Sequence, residues 1–562
     1  MSIFHEGPIS GVASSNGLVA TAGYDNRVIL WEAIGHTPLS RVWHDHLVNY
    51  CEFSSNGRML VTASSDYSAR VWTIPDLRLK CVLAGHTDDV LKASFSPDGT
   101  RIATCSYDST LIVFRLDGSV VCICKGHSGL VESFDWSGDN QTITSCGTDG
   151  TIRTWCSYTG KQLTCVSGFE FDLDAIAVTP DAEIWVGTDD GKIVGMHGDE
   201  KIVTNAHRAG IKKIICHGRL LVSLGYDHAC VLWRRSNLVL EEIARSQLPP
   251  HIWARSAAFA NENCIVFATF GSKYAVWNWT TDEWECAGYV PSIALNAVAV
   301  GGDGRRYAIG DAGLLMRDGA VVGGPRTLCN CLIESQGALL TAGHTGKIYN
   351  AITGEELYSN GAPVNCVSRI QTKESNRLIF GTYDGALLVF QNQDEQIKFL
   401  LRIQLGGSAV KGVCCDEDRI YCGSADGTLT VVSLSNYEIQ NSLMQAHDSI
   451  LNGVALCRGG FATISRDLTL RLWDASASVR QVVKSRHPNS VKCICSDRDG
   501  NLLATGSYGG TIDVFDIQAD RWMGGLFRPT MSGISSIAWD ERQSCFIASS
   551  YDGRIYNVHP VG

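Results

Sequence analysis

The eleven residues Thr21–Trp31, "TAGYDNRVILW", return as "TASSDYSARVW" ending at Trp72, "TCSYDSTLIVF" at Phe114, "SCGTDGTIRTW" at Trp155 and "SLGYDHACVLW" at Trp233. No other feature of this 562-residue chain constrains its fold as strongly. A chain too long for one core that repeats one sentence is built from copies of a small unit, each burying its faces against the next. Aligned on the last residue of each string, the anchors are Trp31, Trp72, Phe114, Trp155, Met196, Trp233, Trp277, Met316, Asn350, Phe390, Val432, Trp473, Phe515 and Val558. The first four steps are 41, 42, 41 and 41 residues, the last four are 42, 41, 42 and 43, and the shortest is 34. That makes 14 units, with those around Met316 and Asn350 the most degenerate.

Each unit reads as short alternating apolar runs cut by Gly, Asp, Asn or Pro. In the third, "DVLKASFSP", "RIATCSY", "TLIVFRL" and "VVCICKGH" are four strands, with "SPDG" and "SYDS" supplying tight reversals. No stretch sustains a helical period. Stacking such four-stranded antiparallel units side by side buries both faces of each.

Glycine-histidine near the start of a unit (Gly85-His86, Gly126-His127), an aspartate in the turn before the third strand, and a terminal Trp473-Asp474 or Trp31-Glu32 make the chain resemble the WD40-repeat family. The resemblance spans essentially the whole sequence. It implies an all-β fold of two tandem seven-bladed β-propellers with four-stranded antiparallel blades, residues 1–290 and 291–562, since seven is the family's usual count and 14 is twice seven. The final unit stops at its third strand, "GRIYNV", and "MSIFHEG" falls in the slot of an outer strand followed by the histidine. Residues 2–4 are therefore expected to supply the missing outer strand of the last blade of the second propeller, satisfying an open sheet edge.

The repeated polar residues have a structural reading. Asp stands six before the anchor at Asp25, Asp66, Asp108, Asp149, Asp190, Asp227, Asp384, Asp426, Asp467 and Asp552. Thr or Ser stands ten before it at Thr21, Thr62, Thr104, Ser145, Ser223, Thr463 and Thr505. A histidine stands 26 or 28 before it at His5, His46, His86, His127, His207, His251, His447 and His487. In the family such a set forms a buried hydrogen-bonded chain of His, Asp, Ser/Thr and Trp. It looks like a hydrolase triad, but a catalyst needs one triad and a repeat needs one brace per unit.

No phosphate loop, nucleophile elbow, H-E-x-x-H or dinucleotide fingerprint is present. "HDH" at His44–His46 is no metal clip, because the brace already claims His46. No catalytic residue, metal or cofactor is expected. The 22 cysteines lie in apolar alternating runs and read as reduced, small buried hydrophobes. With no basic n-region and no long apolar run, the chain reads as cytoplasmic, with no membrane role. A net charge of −11 argues against nucleic acid. The basic run Lys201–Arg255 is the local exception, with nine Lys and Arg against Asp227, Glu241 and Glu242, and offers an alternative docking face for nucleic acid or an acidic partner.

What remains is the residue before the turn aspartate, at the top rim of each blade: Tyr24, Tyr107, Tyr226, Tyr383, Tyr508 and Tyr551. Other units carry Thr148, Asp189, Ala425 and Arg466 there. The family position tends to touch partners, and tyrosine is large, rigid and amphipathic. The bland alternative is that each ring packs on a neighbouring loop and seals the top. The chain is therefore expected to be a non-catalytic scaffold that binds one or more proteins, with no small-molecule substrate. The rival is an enzyme with its site at a channel mouth, disfavoured by the lack of long inserted loops.

Overall fold

A computed structural model of the chain describes residues 3–169, 172–249, 251–286, 288–371, 376–393 and 396–560. Among them are thirteen four-stranded antiparallel sheets and a three-stranded fourteenth, the strands of each following one another in sequence order. The third sheet shows how local sequence makes the unit: Val90–Phe95, Arg101–Ser106, Thr110–Arg115 and Val120–Lys125. Gly99 takes φ 68°, which costs a glycine little, and its N–H donates to Ser96 O at 2.8 Å to close the first turn. In the second turn Asp108 Oδ1 accepts from Thr110 N at 3.0 Å. All fourteen anchors, from Trp31 to Val558, lie on the third strand of their sheet.

The chain divides into two compact units, Met1–Ser292 and Ile293–Gly562. In the first, Ile9–Ser15, the first strand of the first sheet, lies against Val48–Phe53 of the second. The first strands then follow one another through Val90–Phe95, Val131–Trp136, Leu173–Val178, Ile211–His217 and Ile252–Phe259, and the last of these lies against Ile9–Ser15. The second unit repeats the succession from Leu295–Val300 to Ile534–Asp540, which again lies against the first.

Apolar layers between neighbouring sheets follow from the alternation. Leu91, Ala103, Leu111 and Val113 of the third sheet pack on Val131, Phe134, Trp136 and Trp155 of the fourth. Val12, Val19, Ile29 and Trp31 of the first sheet meet Val266, Ala268 and Tyr274 of the seventh. Leu295, Val298 and Ala308 of the eighth meet Cys545 and Ile547 of the fourteenth. Each fully buried large side chain contributes about 1.5–3 kcal/mol of apolar burial. The fourth strands are the wet edge; Gln162–Val166 is exposed throughout.

The expected pairing of residues 2–4 with the last sheet is not among the strand pairings of the described residues. Ser2 lies outside them; Ile3 and Phe4 carry no strand, and Ile3 packs with Trp253, Val12 and Tyr274 of the first unit. The His5 N–H donates to Ser272 O at 3.1 Å, fixing this segment beside the seventh sheet.

Candidate functional site

The repeated polar residues converge as buried chains. In the first sheet His5 Nδ1 lies 2.9 Å from Asp25 Oδ1 and Nε2 lies 2.8 Å from Thr21 Oγ1, while Trp31 Nε1 donates to the same hydroxyl at 2.7 Å. A carboxylate only accepts, so Nδ1 carries the proton, Nε2 accepts from the threonine, and the threonine accepts from the indole. The fourth, sixth and twelfth sheets repeat this with His127–Ser145–Trp155, His207–Ser223–Trp233 and His447–Thr463–Trp473. The third has His86, Asp108 and Thr104, but Phe114 has no N–H to add. Burial alone would raise the Asp108 carboxyl, yet the hydrogen bond and charge of His86, together with the hydrogen bonds from Thr110 and Thr87, outweigh it and hold the group at about 2. The same balance with His447 holds Asp467 at about 2.

Two expected members stand elsewhere. In the second sheet His44, not His46, lies 2.9 Å from Asp66 and 2.7 Å from Thr62, whose hydroxyl accepts from Trp72 Nε1 at 2.9 Å. His46 Nδ1 instead accepts the Leu47 N–H at 2.7 Å. His251 also leaves the pattern: Nε2 lies 2.8 Å from Cys286 Sγ, and the ring packs on Tyr289. The seventh sheet has Phe267 and Gly271 where Thr and Asp belong, so Trp277 Nε1 donates to Asp282 at 2.9 Å instead. In the thirteenth sheet Gly509 replaces the aspartate and His487 bridges Thr505 at 2.9 Å and Thr511 at 2.7 Å. Burial, then the Arg486 charge, pushes this histidine down to about 3, so it stays neutral.

With the braces absorbed inside the sheets, the rim is what each sheet presents. All six tyrosines are half-buried. Their backbone N–H groups donate to the residue preceding or opening the first strand: Tyr24 to Pro8, Tyr107 to Asp89, Tyr226 to Gly210, Tyr383 to Pro363, Tyr508 to Ser490 and Tyr551 to Gly533, at 2.9–3.1 Å. The same bond sets Thr148, Ala425 and Arg466 in the equivalent place, and adds Ser65, Phe270, Asp311 and His344.

The structure also places cations behind these rings. The Tyr24 ring stands edge-on to Trp253 at 5.2 Å, and its hydroxyl accepts from Arg255 Nη1 at 3.1 Å. Lys212 Nζ lies 4.6 Å from the Tyr226 ring centroid, and Lys411 Nζ lies 4.5 Å from that of Tyr383. Lys492 Nζ and Arg466 Cζ approach Tyr508 at 5.5 and 5.7 Å, and Tyr551 stacks beside it at 6.4 Å. Tyr107 packs instead on the apolar layer between the third and fourth sheets.

Lys212, Lys411 and Lys492 share one position, the second residue of a first strand, and reading the repeat through its anchors alone missed it. Five sheets have asparagine there. Each donates Nδ2 to a carbonyl opening the next first strand: Asn49 to Val90, Asn296 to Cys329, Asn330 to Val364, Asn365 to Val410 and Asn452 to Val491, at 2.7–3.0 Å. Aligning the first strands shows this column as Asn in five sheets and Lys in three, with Ser10, Leu91, Glu132, Asp174, Trp253 and Ser535 in the others.

The basic run Lys201–Arg255 does not form one face. Lys201 lies on a fourth strand, Lys212 and Lys213 on a first strand, Arg245 on the next fourth strand, and Arg255 on the first strand after it. Arg235 is buried against Glu183 with Asp181 beside it, and Arg245 pairs with Glu242 at 2.8 Å.

No helix of the described residues is long and apolar enough to cross a membrane. The family model for the WD domain, G-beta repeat, matches residues 37–73, 77–115, 118–156 and 480–516. Each match starts at the fourth strand of one sheet and ends with the third strand of the next, so the sequence repeat is out of phase with the sheet. Among curated proteins, the chain is 36% identical over 83 residues to the WD repeat-containing protein WDS homolog of Arabidopsis thaliana. It is 30% identical over 116 residues to the ribosome biogenesis protein WDR12 homolog of Chlamydomonas reinhardtii, and 31% over 121 to Protein HIRA of Dictyostelium discoideum. These stretches cover 14%, 19% and 17% of this chain and 16%, 26% and 11% of the relatives. The repeat that opened the sequence thus has its counterpart in known proteins: the chain carries WD40 repeats.

Proposed function

We propose that this chain is a non-catalytic scaffold of two closed seven-bladed propellers whose tyrosine-bearing rims hold loops or peptides of partner proteins. The cyclic succession of first strands within each unit, with the first sheet packed on the last, supports closure. The observation that carries the recognition reading is the common placement of Tyr24, Tyr107, Tyr226, Tyr383, Tyr508 and Tyr551. One backbone bond holds each at the same turn, and each residue is half-buried. Aromatic residues backed by cations are favoured anchors at protein interfaces. Two rims on one chain raise the effective concentration of one partner near another without any new contact. The 22 free thiols suit a reducing compartment, and we place the scaffold in the cytoplasm. The named relatives serve different processes, so the partners are assigned by chemistry and not by name.

Affinity purification from the native cell tests this, comparing wild type with Tyr24→Ala/Tyr107→Ala/Tyr226→Ala and Tyr383→Ala/Tyr508→Ala/Tyr551→Ala, each shown to melt like wild type. A partner kept by wild type and lost by one variant supports the reading and locates the rim. Retention of every partner by both variants refutes it.

A further inference from the structure

One amine of the first unit lacks the partners its neighbours have. Lys213, on the first strand of the sixth sheet, is half-buried, and its Nζ lies 4.6 Å from the ring centroid of Tyr50, on the first strand of the second sheet. These sheets are not neighbours in the succession of first strands, so the two side chains meet across the space between them. Lys92 of the third sheet brings a second ammonium to the same ring at 5.6 Å. The charged groups facing Lys213 are Lys92, Arg255, Glu52 and Asp135. All four are engaged elsewhere. Lys92 Nζ donates to Phe134 O at 2.6 Å, and Arg255 Nη1 to the Tyr24 hydroxyl at 3.1 Å. Glu52 Oε1 accepts from the Ser94 hydroxyl at 2.7 Å and the Phe95 N–H at 3.2 Å, and Asp135 accepts the Trp136 and Val178 N–H groups at 2.9 Å. Among the described residues Lys213 forms no hydrogen bond and no ion pair, whereas the adjacent Lys212 pairs with Asp174.

An ammonium withdrawn from water and set beside a second cation gives up its proton readily, and the free amine is a nucleophile. Burial, then the charge of Lys92, pushes Lys213 down to about 7, against 10.5 for an ordinary lysine. The surroundings limit what this amine can attack. A ring and two ammonium groups from three sheets leave room for a small neutral electrophile. With Lys92 and Arg255 beside it, the product best held there carries negative charge. An imine would keep a positive charge, and an amide would carry none. We infer that Lys213 is a carbamate site, its Nζ taking up carbon dioxide. The nitrogen lone pair forms the N–C bond, one C=O π pair moves onto oxygen, and the amine proton leaves to solvent. The charge at Lys213 thereby changes sign, so Lys92 and Arg255 attract the group they had repelled. This site stands whether or not the rims bind partners.

The test incubates the full chain with isotopically labelled bicarbonate near neutral pH, traps any carbamate as its ethyl ester with triethyloxonium, and maps the label by peptide mass spectrometry. An ordinary lysine is then neutral in only about one molecule in a thousand, so label at Lys213 should exceed that at Lys212 or any other lysine roughly tenfold or more. Carbon NMR of the untrapped protein should show a carbamate resonance that both Lys213→Met and Lys213→Arg lose, the second while keeping the positive charge. At fixed bicarbonate concentration the resonance should follow the free amine, half-risen near pH 7 and not near 10.5. No carbamate in wild type, label spread evenly over the lysines, or a resonance that survives either substitution overturns the proposal. The mapping is made on wild type, so a variant that fails to fold leaves the answer intact.

Discussion

Arg306 Nη2 donates to Asp540 Oδ2 at 2.8 Å, and Nε to the same oxygen at 2.9 Å, joining residues 234 apart in sequence. Arg306 opens the second strand of the eighth sheet and Asp540 ends the first strand of the fourteenth, so one guanidinium spans the first and last sheets of the second unit. Asp540 is 2% exposed. Arg306→Ala strands a buried carboxylate without its cation, at a cost of about 2–4 kcal/mol. Calorimetry should show the melting temperature fall by several degrees, with Arg306→Lys recovering part of it. An unchanged melting temperature would mean that the two end sheets hold together without this pair.

The second sheet separates two neighbouring histidines. His44→Ala removes the partner of both Asp66 and Thr62 and should cost about 2–3 kcal/mol in denaturant unfolding. His46→Ala should cost less, since its ring accepts the adjacent Leu47 N–H while the Asp66 and Thr62 bonds belong to His44. The reverse order would place the brace on His46.

The inter-sheet asparagines predict a smaller, local effect. Asn330→Ala removes the bond to Val364 O and should lower stability by about 1 kcal/mol, measured by urea unfolding at unchanged m-value. A change in m-value would instead mean that the sheets part before the unit unfolds.

Stability should fall with acid in two stages. His487, held down to about 3 when folded, binds a proton near its ordinary 6.5 only when unfolded. Between these values the unfolded state carries more protons, so stability falls as pH drops from about 6.5 toward 3. The brace carboxylates Asp108 and Asp467 stabilise fully above their ordinary 3.8, and that contribution is lost as pH falls through about 2. Melting temperatures across pH 7 to 3 should therefore decline less steeply in His487→Gln than in wild type. Equal slopes would show that His487 does not govern the first stage.

How much of this was written in the sequence can be judged residue by residue. The third strands were legible because their anchors are large apolar residues at a near-constant step, and even Met316 and Asn350 fell on them. His44 was legible too, through a feature the anchor count ignores. First and second strands start 9 residues apart in the first sheet, Ile9 to Leu18, and 11 apart in the third, Val90 to Arg101. The shorter hairpin puts the histidine 26 before the anchor and the longer puts it 28 before. The second sheet has the longer one, Val48 to Met59, which selects His44. His251 has the histidine without the threonine and aspartate it would brace, a deficit visible at Phe267 and Gly271. The cations behind the tyrosines were not legible from the strings at all. Lys411 and Tyr383 lie 28 residues apart in different sheets, and only the packing of one first strand on the next turn brings them together.

The claim that the braces hold the sheets while the rim meets partners is tested most directly by amide hydrogen exchange, with and without a partner recovered by affinity purification. The account predicts new protection at the tyrosine turns of one unit, residues 24–26, 107–109 and 226–228 or 383–385, 508–510 and 551–553. The hairpins at the other end of the sheets, such as 16–17 and 54–58, should exchange as before. Protection confined to those opposite hairpins, with the tyrosine turns unchanged, would contradict it.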